Sequence, residues 1–280
     1  MKMRVAYLGP QGTFSEEAAL QSAALLGVDA DLLPCPLIED CAEAVEDGAA
    51  DYAVVPLENS LEGSVNVTLD ILTTSAELQI AAELVLDIEH NLLATGGDTA
   101  AIRRIYSHPQ ALAQCRRYLR RHFAGVETVP VFSTAEAAAL VSGSGSGSAA
   151  IGSRRAAVSY NLQILSSAIQ DNGNRTRFVV LARQGKTFGR PVKTSLLFAV
   201  KNAAGSLYRV LQSFAVHGVN LTRIESRPAK RQLGEYIFFV DLDGTPDDQA
   251  VKLAIREAAD EAVLLKLLGT YPVIGREAGA

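Results

Sequence analysis

The chain has 280 residues, of which 48% are hydrophobic, so it is long enough to bury two substantial cores. Its net charge of -5 is spread without a long run of one sign, which argues against nucleic acid as the main partner. The sequence contains no uncharged apolar stretch of about 20 residues, so we expect no membrane span.

The first eight residues contain an apolar stretch that is far too short for an export signal, and they predict a first β-strand. Cys35, Cys41 and Cys115 are widely spaced, form no C-x-x-C pair and have no histidine cluster that would complete a metal site. We therefore expect reduced packing cysteines in a cytoplasmic protein that uses no metal or other cofactor.

Short apolar segments alternate with helical patterns up to about residue 184, which predicts an α/β fold with helices on both faces of a sheet. The Ser/Gly tract at 142–148 predicts a flexible surface loop, with a domain linker as the alternative. The polar stretch at 184–191 contains two glycines and a proline and predicts the domain boundary. The predicted strands lie at 5–8, 52–55, 79–85, 105–106, 128–131, 149–151 and 178–181.

Beyond this boundary the pattern predicts a βαββαβ order over residues 193–275, which is typical of a ferredoxin-like domain. Its first helix, at 206–217, places one apolar stripe against the sheet, and Gly218 predicts the end of that helix. With both helices on one face, the other face of the sheet would be uncovered in a monomer, so we expect association through this domain. The other predicted elements lie at 195–200, 219–225, 236–241, 247–259 and 264–268.

Five polar loops follow predicted strands, at the strand ends where open α/β sheets bind ligands. The glycines of the first loop, at 9–16, allow a ligand to approach backbone N–H groups, and the loop matches no nucleotide-binding glycine pattern. Several helix N-termini facing one cleft would hold a small dicarboxylate, although each capping residue alone is explained by the helix. The predicted capping residues are Thr13 with Glu16, Ser107, Ser133 with Glu136, and Ser153.

Two loops carry dense polar side chains, one of these five and a sixth that precedes a strand. Residues 56–64 follow a strand exit, and residues 171–178 lead into the last strand of the first domain. In the latter, Thr176 and Arg177 offer a hydroxyl and a guanidinium for leaving-group protonation and carboxylate pairing. A β-prone threonine and a solvated arginine are the alternative interpretation.

The loops together resemble the prephenate dehydratase family, and the second domain is similar to an ACT regulatory domain. The resemblance implies a two-lobed fold like that of type II periplasmic solute-binding proteins over residues 1–184, with the active site between the lobes, and an ACT domain over 193–275. The matching stretches are YLGPQGTFSEEAA (7–19), VPLENSLEGSV (55–65), SHPQALAQC (107–115), AAIGS (149–153), NRTRFVVL (174–181) and, in the second domain, GSL (205–207) and LTRIESRP (221–228).

The resemblance also implies the site residues. Thr176 takes the position of the catalytic threonine, and we expect Glu58 or Arg177 to polarise its hydroxyl. The implied catalytic residues are Thr176, Glu58, Asn59, Ser107 and Gln114, and the implied substrate-binding residues are Gly12, Thr13, Ser60, Ser153, Arg177 and Phe178. The implied effector-binding residues are Gly205, Ser206, Leu207, Asn220, Leu221, Thr222, Glu225 and Ser226.

The implied activity is the decarboxylative dehydration of prephenate to phenylpyruvate in L-phenylalanine biosynthesis. L-Phenylalanine would inhibit by binding between paired ACT domains of a homodimer or homotetramer. Two departures stand out: Ser206 replaces the usual alanine of the Gly-Ala-Leu effector motif, and the chain starts at the dehydratase motif, so we expect no chorismate mutase activity. Arogenate as the substrate and a non-catalytic sensor of small anions stay open as alternatives.

The remaining polar features predict surface or packing roles. The predicted helix at 110–123 has a solvated basic face, with an acidic partner as the alternative. His90, His108 and His217 lack metal-ligand spacing, and we assign them no ligand role.

Overall fold

A computed structural model describes residues 2–145, 147–186, 188–229 and 236–275. The chain forms two compact units, Met1–Leu69 with Val85–Phe178, and Asp70–Leu84 with Val179–Ala280. The domain ranges 1–184 and 193–275 stay a prediction. No helix in the described part of the chain is both long and apolar enough to span a membrane.

Helices and strands alternate as predicted, and the α/β fold class is confirmed. Every predicted strand overlaps an observed one, whereas β2, β4, β6, β10 and β16 are not predicted by the sequence pattern. The elements are β1 (Met3–Leu8), α1 (Phe14–Leu25), β2 (Ala30–Cys35), α2 (Ile38–Glu46), β3 (Tyr52–Asn59), β4 (Gly63–Ser64), α3 (Asn66–Thr74), β5 (Leu78–Asp87), β6 (Asn91–Ala94), a 3-10 turn (Thr99–Ala101), β7 (Arg104–Ser107), α4 (Pro109–Gln114), α5 (Arg116–His122), β8 (Glu127–Pro130), α6 (Thr134–Ser142), β9 (Ser148–Gly152), α7 (Arg154–Ser159), β10 (Gln163–Ser166), β11 (Arg175–Arg183), β12 (Lys193–Ala199), α8 (Ser206–Val216), β13 (Leu221–Pro228), β14 (Tyr236–Asp243), α9 (Gln249–Glu261), β15 (Leu264–Tyr271) and β16 (Val273–Ile274).

Two sheets build the first unit. One has the order β2-β1-β3-β11, with β1 parallel to both β2 and β3, and β4 paired to the end of β3. The other has the order β10-β6-β9-β7-β8, in which β7 runs parallel to β8 and β9. Val54, Val55 and Ile151 are buried, as expected of short apolar strands that are covered on both faces. The parallel strands therefore deliver the loops after β3 and β7 to strand ends, where ligands bind.

Three of the predicted helix caps are confirmed. The hydroxyls of Thr13, Ser133 and Ser153 accept hydrogen bonds from N–H groups in the first turns of α1, α6 and α7, at 3.2, 2.9 and 2.9 Å. The predicted capping boxes are displaced by one residue. The Glu16 and Glu136 carboxylates accept from the N–H groups that precede the cap, rather than from the cap itself.

The predictions around α4 are wrong in two respects. Ser107 is not the N-cap, because His108 Nδ1 accepts a hydrogen bond from the Gln110 N–H at 3.3 Å. The predicted helix at 110–123 is broken, since the backbone leaves helical geometry at Cys115. Asp171 accounts for the break. Its N–H donates to the Gln114 carbonyl at 2.7 Å, and its carboxylate accepts from the Arg117 N–H at 3.0 Å.

The second unit contains the predicted ferredoxin-like order. Its antiparallel sheet has the order β13-β14-β12-β15, and α8 and α9 pack with Leu196, Phe198 and Val240 in one core. The prediction that the sheet face opposite the helices is uncovered is wrong. Leu197 and Phe239 alternate with those core residues and therefore lie on that face, and they are only 0% and 3% exposed.

Residues from an earlier part of the chain belong to this unit and lie against its sheet. The Lys193 ammonium contacts the Glu83 carboxylate at 2.9 Å, and Lys266 Nζ donates to the Leu72 carbonyl at 2.8 Å. A Cβ atom at Gly269 would lie 2.2 Å from the Ile80 carbonyl oxygen, so β5 and β15 approach too closely for a side chain there. The Asp70–Leu84 segment thus contributes packing that sequence order alone does not predict.

Candidate active site

A cavity of about 370 Å³ opens in the first unit. Its wall is formed by the end of β3 and the β4 turn, by the starts of α4 and α6, and by residues 174–178. Phe14, Ile88 and Phe178 supply apolar surface to the same wall. A mostly apolar cavity with a few convergent polar groups is the usual form of a small-molecule site.

Asn59, the last residue of β3, is the best-anchored polar side chain of the wall. Its Oδ1 accepts hydrogen bonds from the backbone N–H groups of Leu61 at 3.0 Å and Glu62 at 3.1 Å. Its Nδ2 donates to Thr176 Oγ1 at 2.8 Å and to Asn174 Oδ1 at 2.7 Å. Backbone donors therefore set the orientation of this amide, and the amide in turn donates to the threonine hydroxyl.

The polar network continues from Asn174 to two further side chains of the wall. Asn174 Nδ2 donates to Gln114 Oε1 at 3.0 Å, and His90 Nε2 lies 2.9 Å from the same oxygen. Phe14 packs edge-on against the His90 ring at 5.7 Å between ring centres. Burial lowers the pKa of His90, and the hydrogen bond with Gln114 opposes that effect, so the imidazole is neutral at neutral pH.

The Thr176 hydroxyl is the group in the wall best placed for chemistry. It is 8% exposed, and it accepts a hydrogen bond from Asn59. Within the described ranges, no protein acceptor takes the hydrogen of this hydroxyl. A hydroxyl that accepts a hydrogen bond becomes a better donor, so Thr176 can donate to a bound molecule.

No lysine or arginine lies in the described wall, where an anion would meet backbone and hydroxyl donors beside the His108 imidazole and the Glu62 carboxylate. Ser133 and Thr134, at the start of the nine-residue helix α6, lie in the wall. A helix N-terminus carries partial positive charge and unpaired N–H groups, and both favour carboxylate binding. The cavity is therefore suited to a small carboxylate that also carries an apolar ring.

A model of the family described as prephenate dehydratase matches residues 5–186, and a model of the ACT domain matches residues 194–260. The chain belongs to the prephenate dehydratase family. It is 40% identical over 278 residues to the prephenate dehydratase of Methanocaldococcus jannaschii, covering 98% of this chain and 99% of that relative. It is 43% identical over 272 residues to the bifunctional chorismate mutase/prephenate dehydratase of Aquifex aeolicus, covering 97% of this chain and 74% of that relative.

A solved structure of a family member shows the same similarity. The prephenate dehydratase from Arthrobacter aurescens, solved in complex with L-Phe, is 37% identical, with a TM-score of 0.86. The match covers 96% of this chain and 89% of that chain. The similarity therefore extends through both family-model matches.

Four of the residues implied by the family motifs lie in the cavity wall, namely Asn59, Gln114, Thr176 and Phe178. Glu58 and Ser107 are placed elsewhere. The Glu58 carboxylate lies 3.9 Å from the Arg177 guanidinium, and the fully buried Ser107 donates its hydroxyl to the Ile151 carbonyl at 2.7 Å. The expected polarisation of Thr176 by Glu58 or Arg177 is corrected, because Asn59 makes that contact.

The remaining substrate-binding predictions also lie outside the wall, where their polar groups are used by the protein itself. Ser153 Oγ donates to the Gly12 carbonyl at 2.8 Å, and Thr13 Oγ1 donates to the Leu8 carbonyl at 3.1 Å. Ser60 Oγ accepts from the Arg175 N–H at 2.9 Å. These residues hold the loops around the cavity, and a direct contact with a ligand stays a prediction.

Asn174 and His90 belong to the polar network of the wall, and the predicted site residues include neither of them. Asn174 is the first residue of the NRTRFVVL motif, and this position indicates that it lies near Thr176. His90 follows β5 as a single histidine without metal-ligand spacing, and it lies outside every motif of the family resemblance. In the part of the chain that the structure describes, no three His, Cys, Asp or Glu side chains group as a metal site.

The predicted effector residues lie in two parts of the second unit. The Ser206 hydroxyl accepts from Arg209 Nη2 at 3.2 Å, and Asn220 Nδ2 donates to Asp243 Oδ2 at 2.7 Å. Gly205, Ser206 and Leu207 lie at the start of α8, whereas Asn220, Leu221, Thr222, Glu225 and Ser226 lie in or just before β13.

Gly12 offers a test of the loop that packs beside the cavity. Its φ is +89°, and an added Cβ would lie 2.9 Å from a Tyr160 ring carbon and 3.1 Å from the Ala156 Cα. Gly27 has a φ of +67° with nothing within 4 Å of an added Cβ, so Gly27→Ala is the matched control. We expect Gly12→Ala to lower the free energy of unfolding by about 1–3 kcal/mol more than the control, measured by urea denaturation. Equal losses in the two variants would contradict the tight packing at Gly12.

Proposed function

We propose that the chain is a prephenate dehydratase that converts prephenate to phenylpyruvate, carbon dioxide and water. The observation that carries the proposal is the Thr176 hydroxyl in the cavity wall, which accepts from Asn59 and keeps its own hydrogen for a ligand. The family membership of the chain and its similarity to two curated dehydratases support the same conclusion.

The reaction requires stabilisation of the negative charge on the leaving hydroxyl oxygen, and it does not require a strong acid. The bond between the ring carbon and its carboxylate breaks, and the electron pair enters the ring as carbon dioxide leaves. The bond from the opposite ring carbon to its hydroxyl then breaks, and the departing hydroxide takes a proton from the solvent to become water. Because an aromatic ring forms, the overall reaction is strongly downhill.

Thr176 is proposed to donate a hydrogen bond to the departing hydroxyl oxygen. Negative charge grows on that oxygen in the transition state, so a donor fixed in advance stabilises the transition state more than the substrate. The Asn59 amide holds Thr176 in this role, since it donates to the same oxygen from a backbone-anchored position. A threonine hydroxyl is a weak acid, and orientation therefore contributes more than proton transfer.

The rest of the wall is proposed to bind the two carboxylates unequally. A carboxylate near Ser133 and Thr134 would be stabilised by the N-terminus of α6. The ring carboxylate would lie against Phe14 and Phe178, where loss of water favours its departure as neutral carbon dioxide. One carboxylate thus anchors the substrate, and the other is left poorly solvated.

The activity is tested by incubating the pure chain with prephenate and measuring phenylpyruvate, with arogenate in a parallel reaction. We expect phenylpyruvate to form from prephenate well above the spontaneous rate. No rate above the protein-free control would contradict the proposed function. The ratio of kcat/KM for the two substrates measures the substrate preference directly.

We propose a regulatory role for the part of the chain beyond the dehydratase match. In this proposal residues 1–184 form a catalytic domain and residues 193–275 form an ACT domain. The ranges of the two family-model matches and the L-Phe complex of the Arthrobacter aurescens relative support this division. L-Phenylalanine would bind between paired ACT domains of a homodimer or homotetramer, at the residues near the start of α8 and β13. Exposed Ile224, Leu264 and Leu267 offer apolar surface for such pairing.

Calorimetric titration with L-phenylalanine should give saturable heat, and the same ligand should inhibit phenylpyruvate formation over the same concentration range. The reason is linkage, because an effector that prefers one arrangement of the paired domains shifts the population toward it. D-Phenylalanine is the control with identical composition. Absence of heat with the L-isomer, or heat without inhibition, would contradict the regulatory proposal.

A cytoplasmic location is also proposed. Cys35, Cys41 and Cys115 are free and buried, which suits a compartment that keeps thiols reduced.

A further inference from the structure

The polar side chains of the cavity form a directional chain that starts at the backbone. The N–H groups of Leu61 and Glu62 both point at Asn59 Oδ1, so this atom is the oxygen of the amide. The other end of the amide is then Nδ2, which donates to Asn174 Oδ1 and to Thr176 Oγ1. The backbone therefore dictates which way the first amide faces.

The same reasoning applies to the next hydrogen bonds of the network, which lead to His90. Because Asn174 Oδ1 accepts from Asn59, its Nδ2 faces Gln114 and donates to Gln114 Oε1 at 3.0 Å. His90 Nε2 lies 2.9 Å from that oxygen, and an amide oxygen has no hydrogen to give. His90 Nε2 must therefore carry the hydrogen, and the neutral imidazole is the Nε2–H tautomer.

The opposite ring nitrogen shows that this tautomer is selected for its donor. His90 is 4% exposed, and its Nδ1 is buried without a hydrogen-bond partner among the residues the structure describes. A buried acceptor without a partner is unfavourable, so an apolar ring would pack at this position at lower cost. What the imidazole adds beyond packing is the Nε2–H that points at Gln114.

Gln114 depends on that donor for its orientation. Over the described ranges, its side-chain amide has two hydrogen-bond partners, Asn174 and His90, and both donate to Oε1. Rotating the amide by half a turn would set its NH₂ group against the donors of both neighbours. With His90 removed, Asn174 alone would oppose that rotation, and a rotated Gln114 would compete, through Asn174, with the two backbone donors that orient Asn59.

We propose that His90 is a positioning residue that holds Gln114 and Asn174 in the orientation that agrees with the one the backbone donors give Asn59, so that Asn59 donates to Thr176. It acts through these amides and leaves the Thr176 hydroxyl hydrogen directed to the substrate. The inference rests on the proposed dehydration, in which that hydrogen meets the departing oxygen, and it assigns a function to a residue that no motif identifies.

Two substitutions separate the Nε2–H from the bulk of the ring. The amide nitrogen of glutamine reaches the position of Nε2, whereas that of asparagine reaches only the position of Nδ1. We expect His90→Gln to keep kcat within about threefold and His90→Asn to lower it by about 10-fold or more, with KM within about twofold for both. His122→Asn, at an exposed histidine outside the wall, is the control for the substitution itself.

Equal kcat values for the two His90 variants, whether high or low, would overturn the proposal, as would a change confined to KM. If His90→Asn does not fold, nitrogen NMR of the histidine-labelled full chain decides. The proposal requires a hydrogen on Nε2 and a bare Nδ1 at neutral pH, and the opposite tautomer overturns it. Failure of the wild-type chain to convert prephenate would instead reject the proposed function, since the tautomer is measured without turnover.

Discussion

Thr176→Val is expected to lower kcat on prephenate by about 100-fold or more while KM changes by less than about threefold. Valine has nearly the shape of threonine, so the cavity keeps its form and loses only the hydroxyl. In the proposed reaction that hydroxyl meets the departing oxygen, and its contribution grows as the bond breaks. Steady-state kinetics on phenylpyruvate formation measure both constants.

Thr176→Ser is the matched control for this prediction. Serine keeps the hydroxyl within reach of Asn59 Nδ2, and we expect it to retain most of kcat. Wild-type turnover in Thr176→Val would remove this residue from the mechanism. A serine variant as slow as the valine variant would instead show that the methyl group, and thus packing, matters.

Asn59→Asp is expected to lower kcat by about 100-fold and also to raise KM. Aspartate has the shape of asparagine and still accepts from the N–H groups of Leu61 and Glu62. Its second oxygen, in the place of Nδ2, would accept the Thr176 hydrogen instead of donating to that hydroxyl. The new negative charge faces the cavity, where it opposes binding of a dianion.

Asn202→Asp adds the same charge at an exposed position outside the cavity wall and should leave both constants unchanged. The two variants carry the same chemical change, so a difference between them in kcat or KM is due to the position of residue 59. If Asn59→Asp raised KM alone, the charge would explain the result, and the donated hydrogen bond would have no catalytic role.

The correction from Glu58 to Asn59 follows from strand geometry. Successive side chains of a strand point to opposite faces, so Glu58 and Asn59 separate, as do Thr176 and Arg177 on the neighbouring strand. Asn59 and Thr176 meet at the cavity, while Glu58 faces Arg177. The motifs predict that these four residues lie near one another. The register of β3 with β11 determines that Asn59 contacts Thr176 and that Glu58 faces Arg177.

The buried strands were predictable because they are short and apolar, and the missed ones lack that signal. β2 contains Pro34 and has one buried residue, Cys35, and the proline is tolerated because β2 is the edge strand of its sheet. β6 is the exception, because its four residues are all buried and it is as long as the predicted strands β7 and β8. Covering of the second unit's sheet by Asp70–Leu84 depends on residues distant in sequence, and no local pattern reports such a contact.

His90 shows the corresponding limit for the candidate site. Its partners Gln114 and Asn174 belong to two different motifs, and only the folded chain brings the three together. Metal ligands can be recognised by their spacing in the sequence. The orientations of hydrogen-bonded side-chain amides have no such spacing and cannot be predicted in this way. The resemblance to the family predicts the threonine and its neighbours, and the structure supplies the directions of their hydrogen bonds.

The decisive measurement for the role of Thr176 is a crystal structure of the Thr176→Val variant with prephenate bound. It should show the substrate in the cavity, with the hydroxyl-bearing ring carbon facing residue 176 at about 4 Å. A carboxylate should lie at the N-terminus of α6. Prephenate bound outside this cavity, or with its hydroxyl turned away from residue 176, would contradict the proposed role of Thr176.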